Sequence, residues 1–216
     1  MTYDAVLTAG RAVHLDIAGA FHPDPAHGCP QGTETLLLFS PLEPGFWAAF
    51  TASPEYRDGA PEPLDRWSVR GITELARVFG GTALFPFGGS PYLPFLRWAV
   101  VSGRAWSSPV GLLVHDTAGL FISYRGALAL PLRLDLPAPT SSNPCISCVG
   151  QPCISACPVG ALGAQGYDVP ACRAHIAGSA GRDCIDRGCA VRRACPVSKG
   201  YGRLPVQSAF HMKAFQ

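Results

Sequence analysis

The sequence predicts an α/β fold in two domains: an α/β sheet domain over residues 1–139 and a small cysteine-rich domain over residues 140–216. Three observations carry this prediction. Apolar segments with strand and helix patterns alternate through the first part of the chain. Eight of the nine cysteines lie between Cys145 and Cys195. The net charge is −3 up to residue 139 and +5 after it, and the change falls at the Pro- and Ser-rich stretch LPAPTSSNP.

The elements of the first domain follow in chain order. YDAVLTAGRA predicts a helix, while VHLDIAGAF and TETLLLFSP predict strands bounded by turn residues. LDRWSVRGITELARVFGG predicts an amphipathic helix that ends at Gly80. GTALFPF predicts a short strand, and PYLPFLRWAVVSG a helix with proline near its start. PVGLLVH and LFISYRGALAL predict a hairpin across DTAG. The apolar side chains at helical spacing before Gly80 are Trp67, Ile72, Leu75, Val78 and Phe79.

Composition excludes several classes of protein. Of the 216 residues, 48% are apolar and 15% charged, which is typical of a folded chain with a sizeable core. No apolar run reaches the roughly 18 residues of a membrane span. The start, MTYDAVLTAG, lacks the basic segment of a signal peptide, so we expect a cytoplasmic location, where thiols stay reduced. The basic C-terminal part has no aromatic stacking motif, which disfavours nucleic acid as a partner.

The clustered cysteines admit three interpretations. Disulfides are disfavoured in a cytoplasmic chain of this size. Zinc sites usually show two separated C-x2-C knuckles, and only Cys145–Cys148 has that form. Iron–sulfur clusters are favoured, because in bacterial ferredoxin runs three close cysteines hold one [4Fe–4S] cluster and a fourth, followed by proline, serves the other. The clustered cysteines are Cys145, Cys148, Cys153, Cys157, Cys172, Cys184, Cys189 and Cys195.

The spacing predicts how the eight ligands divide between two clusters. Cys157 and Cys195 each precede a proline. We expect each of them to cross to the other group, so that Cys195 completes the first cluster and Cys157 joins the second. Three spacings (Cys148–Cys153, Cys184–Cys189 and Cys189–Cys195) are longer than in the ferredoxin run, and longer loops still close at small cost. The first set is therefore Cys145, Cys148, Cys153 and Cys195, and the second is Cys157, Cys172, Cys184 and Cys189.

The cysteine pattern resembles the iron–sulfur half of epoxyqueuosine reductase and of related reductive dehalogenases. The likeness rests on C-x2-C…C-x3-C-P-x-G-A, then YDVPACRAHI around Cys172, then a second group ending in C-P. The upstream stretch SGRAWSSPVGLLVHDTAGLFISYRGALALPLRLDLP is similar to the family's run into its first cysteines. The resemblance spans roughly residues 85–200. It implies a flavin-reductase-like α/β domain that binds cobalamin, followed by a ferredoxin-like domain with two [4Fe–4S] clusters.

Two features of the family have no counterpart here. The place of its acidic proton donor holds Gly88 or Gly89, so no residue is assigned to proton transfer. The family's C-terminal helical repeats, which help to grip tRNA, do not follow Cys195, which disfavours a tRNA substrate.

Six residues are candidates for a cofactor pocket in the first domain. Glycine-rich FPFGGSPY is either a plain turn or a loop whose amides reach a phosphate or a corrin amide. His115 lies beside the predicted turn, where it either lines a pocket or is solvated. Arg125 interrupts an apolar strand and needs an anionic ligand or an internal carboxylate. The candidates are Gly88, Gly89, Ser90, His115, Tyr124 and Arg125.

These observations predict an iron–sulfur redox protein. Electrons from an external donor of the flavodoxin or ferredoxin type would pass through both clusters to a pocket in the first domain, as in a cobalamin-dependent reductase. The alternative is a ferredoxin-type carrier without enzymatic activity that serves an acceptor enzyme.

Overall fold

The computed structural model describes residues 1–138, 142–163 and 165–215 and has a mixed α/β fold. The described residues contain eight strands: β1 (Leu15–Phe21), β2 (Thr35–Pro41), β3 (Thr82–Leu84), β4 (Ala105–Ser107), β5 (Leu113–His115), β6 (Gly126–Leu130), β7 (Leu162–Gly163) and β8 (Gly166–Tyr167). They also contain ten α-helices: α1 (Tyr3–Ala12), α2 (Phe46–Thr51), α3 (Pro54–Arg57), α4 (Pro63–Phe79), α5 (Phe95–Val101), α6 (Val169–Ala177), α7 (Arg182–Arg187), α8 (Ala190–Ala194), α9 (Pro196–Lys199) and α10 (Pro205–Phe215).

The chain divides into two compact units. The first comprises Met1–Arg104 and Ser123–Thr140, and the second Ala105–Ile122 and Ser141–Gln216. Ala105–Ile122 therefore belongs with the cysteine-rich segment, whereas the sequence analysis assigned it to the first domain. The predicted boundary between residues 139 and 140 lies outside the described residues.

The first unit is built on a four-stranded antiparallel sheet. Its strand order is β1-β2-β6-β3, and β2 and β6 are buried along their whole length. Helix α4 packs against β6 and β3, and Gly126 allows this approach because a Cβ there would lie 2.5 Å from the Ile72 side chain. Helices α1 and α4 and strands β1 and β2 are confirmed, whereas β3 and β6 occupy only part of the predicted stretches 81–87 and 120–130. Gly80 ends α4 in the left-handed conformation at φ 65°.

Two details of the helices differ from the prediction. Val78 was placed on the apolar face of α4 but is 55% exposed, because the core contacts of this face end at Leu75 and Ala76. Helix α5 begins at Phe95 rather than near Pro91, since Pro94 occupies its N-cap and the residues before it form an irregular loop.

The predicted hairpin between residues 109–115 and 120–130 is wrong. Strand β5 pairs instead with β4, while β6 pairs with β2 and β3. The DTAG turn closes on itself through a bridge between His115 and Gly119. Gly119 has φ +56°, and a Cβ there would lie 2.5 Å from the Ser198 backbone nitrogen, so this turn packs tightly against α9.

The described residues of the second unit form short helices, turns and the strand pairs β4–β5 and β7–β8, and two apolar clusters among them contain cysteines. The first cluster includes Cys153 and Cys195, and the second includes Cys184. Across the described part of the chain, no helix has both the length and the apolar character needed to cross a bilayer.

Candidate metal centres

The first candidate centre is a cavity of about 350 Å³ in the second unit. Apolar side chains, including Val114 and Leu120, form much of the remaining wall. The cysteines that line it are Cys145, Cys148, Cys153 and Cys195.

Turns hold three of these thiols, and a helix break holds the fourth. The Asn143 side chain accepts a hydrogen bond from the Cys145 backbone N–H at 3.0 Å, and the Gln151 amide donates to the Cys145 carbonyl at 3.3 Å. Cys195 lies between α8 and α9 with an extended backbone, φ −62° and ψ 124°. Pro196 favours this break because proline disfavours helical geometry in the residue before it.

The second candidate centre is a tighter cavity of about 20 Å³. Cys172 comes from α6, Cys184 from α7 and Cys189 from the N-cap of α8. Cys157 follows the turns of the first group, and its sulfur accepts the Ala161 backbone N–H at 3.2 Å. At this volume the side chains around the cavity would have to rearrange to admit a cubane. The cysteines lining it are Cys157, Cys172, Cys184 and Cys189, the membership expected from the spacing.

Burial raises the pKa of three of these thiols, which makes them harder to ionise. Burial is the main cause that raises the pKa of Cys145, and the neighbouring Cys153, Cys195 and Cys148 add to it. Burial likewise raises the pKa of Cys153 and Cys184. Thiolates crowded in this way become favourable when a cation neutralises them, so metal binding here would release protons.

The geometry bears on the two alternatives to iron–sulfur clusters. All nine cysteines are free thiols. Within the described residues, no three His, Cys, Asp or Glu side chains come together as a group that could hold a metal ion. The eight clustered cysteines line two cavities, four at each.

The predicted pocket residues of the first unit are only partly brought together. Gly88, Gly89 and Ser90 lie on an exposed loop. Arg125 is buried, and its guanidinium forms an ion pair with Asp65 and donates to the Ser68 hydroxyl at 3.0 Å. The internal carboxylate is therefore the partner of this arginine.

Two further contacts involve Arg125 and His115. The Arg125 guanidinium also lies 5.6 Å from the centre of the Phe87 ring, beside the glycine loop. Tyr124, next to it, is partly buried. His115 belongs to the second unit, and its Nδ1 accepts the Thr117 backbone N–H at 3.2 Å, so it helps to close the DTAG turn.

Sequence reasoning missed two residues at the second centre. His175, on α6, lines the cavity beside the four cysteines. Tyr167 lies close enough to hydrogen-bond Cys172, and burial followed by that bond raises the pKa of its hydroxyl. The available signal for His175 was its position three residues after Cys172, which puts both on one face of a helix.

No protein-family model matches the chain, and comparisons with curated proteins and with solved structures also gave no match.

Proposed function

We propose that the protein is an electron-transfer protein that binds two [4Fe–4S] clusters. The observation that carries this proposal is the division of eight free thiols into two sets of four, each lining its own cavity. Four thiolates match the four iron corners of one cubane. A cytoplasmic location belongs to the same proposal, since these thiols must stay reduced.

Bound clusters would supply one-electron redox chemistry, and the surrounding residues would set their reduction potentials. Apolar walls such as Val114 and Leu120 limit water at the first centre. The N–H of Ala161 donates to the Cys157 sulfur at the second, which favours added negative charge there. The positive charge of Arg192 acts on Cys189 in the same sense.

Ligands of both centres share one apolar cluster, which supports electron transfer between them. Cys153 and Cys195, from the first set, are core members of that cluster. Cys157 and Cys189, from the second set, pack against the same cluster. An electron that enters at one centre would reach the other through this apolar cluster.

The surface beside the first centre supports exchange with an external redox protein. Ile146 is 83% exposed and Val149, which lines the cavity, is 95% exposed. No charged residue lies between Asp135 and Asp168 in the sequence. A partner that meets these residues through an uncharged surface fits them best, which is compatible with a flavodoxin- or ferredoxin-type donor or with an acceptor enzyme.

The geometry favours a carrier over a cobalamin-dependent reductase. Arg125 is neutralised by Asp65, His115 helps to close a turn, and the Gly88–Ser90 loop is exposed. These residues do not form a donor set suited to a corrin. Gel filtration after mixing with cobalamin tests this choice: we expect the corrin absorbance to separate from the protein, and retained absorbance would instead support the reductase.

Iron and sulfide analysis tests the cluster proposal. After anaerobic purification or reconstitution we expect about eight iron atoms and eight sulfides per chain, the content of two cubanes. Stoichiometric zinc, or intact protein without iron, would refute the proposal.

A further inference from the structure

One nitrogen at the second centre is buried without a partner. The Nε2 atom of His175 is enclosed, and within the described residues it has no hydrogen-bond partner. The imidazole lines the cavity formed by Cys157, Cys172, Cys184 and Cys189. Leaving a buried polar group unpaired costs about 1–3 kcal/mol, so this nitrogen calls for a partner within the cavity.

The local backbone holds the imidazole on the cavity side. Asp168 caps α6, and its side chain accepts the Ala171 backbone N–H at 2.9 Å. At the other end of the helix the His175 carbonyl accepts from Gly178 at 3.1 Å. The following turn packs directly on this carbonyl, because a Cβ on Gly181 would lie 2.3 Å from the His175 oxygen. His175 therefore has little freedom to turn its backbone away.

Sulfur is the complementary partner for this nitrogen. Of the described side chains that line the second cavity, His175 alone carries a nitrogen or an oxygen; the sulfurs are those of the four cysteines and of Met212. Four thiolates already match four irons, which leaves the imidazole surplus as a ligand. Thiolate and sulfide accept hydrogen bonds, and a neutral imidazole with its proton on Nε2 is a donor. The residues that line the first cavity include no histidine.

We infer that the Nε2–H of His175 donates a hydrogen bond to a sulfur of the second [4Fe–4S] cluster and makes that centre easier to reduce than it would otherwise be. This inference rests on the proposed function. An added electron increases the negative charge on the sulfurs, so a hydrogen bond to them is stronger in the reduced state. His175 is thus a tuning residue that biases electrons toward the second centre.

The test is an anaerobic redox titration, followed by electron paramagnetic resonance, of wild type and three variants. His175→Leu removes the donor, His175→Gln keeps an N–H, and Met212→Leu changes an apolar residue of the same cavity. For His175→Leu we expect about a tenfold fall in the ratio of reduced to oxidised second centre at fixed potential, which is 59 mV for one electron. His175→Gln and Met212→Leu should change this ratio less than threefold, and the couple of the first centre should stay unchanged.

Three outcomes would overturn the inference: a change below twofold in His175→Leu, an equal change in Met212→Leu, or an equal shift of both couples. If His175→Leu loses about half its iron, its second centre cannot be titrated. The hydrogen bond is then tested in wild-type protein labelled with ¹⁵N-histidine. A ¹⁵N hyperfine coupling to the reduced second centre supports the hydrogen bond, and its absence rejects it. Failure of the proposed function can be distinguished from failure of this inference, because in the former case the wild-type protein would contain no iron.

Discussion

Arg192 offers a sharp test of how the chain sets the potential of the second centre. Its guanidinium donates to the Leu120 carbonyl at 2.5 Å, and within the described residues no carboxylate is paired with it. Its charge acts on Cys189, while burial lowers its pKa without changing its charge at neutral pH. If the second centre holds the proposed cluster, a cation in this position would stabilise its reduced, more negative state.

The expected size of the effect follows from Coulomb's law. We take the Arg192 charge to lie roughly 8 Å from the added electron, with an effective dielectric constant of about 20. One unit charge then stabilises the reduced centre by about 2 kcal/mol, which is about 85 mV for one electron. Stronger screening would halve this figure. We therefore expect Arg192→Gln to lower the midpoint potential of the second centre by about 40 to 85 mV, because a favourable charge is lost.

Protein-film voltammetry measures the midpoint potential of Arg192→Gln, and two further variants serve as controls. Arg192→Lys keeps the charge and should shift the potential by less than half as much. Arg193 forms an ion pair with Asp183, so its charge is already offset, and Arg193→Gln should also have a smaller effect. Charge reversal at both arginines should lower the potential further. An unchanged voltammogram for Arg192→Gln and for the double reversal would refute the electrostatic reasoning.

The remaining predictions concern the ligand sets and two ion pairs. By iron analysis and voltammetry, Cys148→Ala should lose about four irons and the redox couple of the first centre but keep that of the second. Cys172→Ala should lose the second couple and keep the first. Loss of both couples in either variant would contradict the division of the eight cysteines into two ligand sets. Asp65→Asn leaves the Arg125 charge buried and should lower the free energy of unfolding by about 2–3 kcal/mol in urea titrations, somewhat less than for a fully buried pair because Asp65 is 29% exposed. A bond from Arg70 lowers the pKa of Glu55 below its ordinary 4.5, so Glu55→Gln should cost about 1 kcal/mol at pH 7. The difference in unfolding free energy between wild type and Glu55→Gln should disappear as the pH falls through the lowered pKa of Glu55, since the side chain at position 55 is then neutral in both proteins.

A surface ion pair provides the matched control for the two stability predictions. Glu74 pairs with Arg77 at 2.7 Å on α4, and both side chains are more than half exposed. Glu74→Gln should leave the free energy of unfolding nearly unchanged, because solvent screens this exposed pair. If Asp65→Asn cost no more than this control, the burial of the Arg125 charge would have no energetic consequence.

Local patterns were enough to predict much of the first unit. Helix α4 and its end at Gly80 follow from apolar spacing and from a residue that tolerates positive φ. The partner of Arg125 could not be identified from the sequence, because Asp65 lies on a helix 60 residues earlier and only the packing of α4 on β6 joins them. The hairpin error has a similar origin: the AWS segment of β4 is too short to show as a strand, yet it is the partner of β5.

At the candidate centres, the cysteine spacing predicted which thiols lie together but not what surrounds them. The prolines after Cys157 and Cys195 predicted the two sets of thiols that line the two cavities, while the binding of clusters by these sets stays a prediction. The roles of Leu120 and His175 depend on contacts between segments distant in sequence and on burial of single atoms. No sequence pattern encodes these directly.

Native mass spectrometry under anaerobic conditions tests the central claim most directly, since it weighs the intact chain with whatever its thiols hold. The account predicts a folded chain that carries the mass of two [4Fe–4S] clusters, with one lost in each single-set cysteine variant. A folded chain that carries only zinc, or that shows the mass loss of paired thiols with no iron, would contradict it.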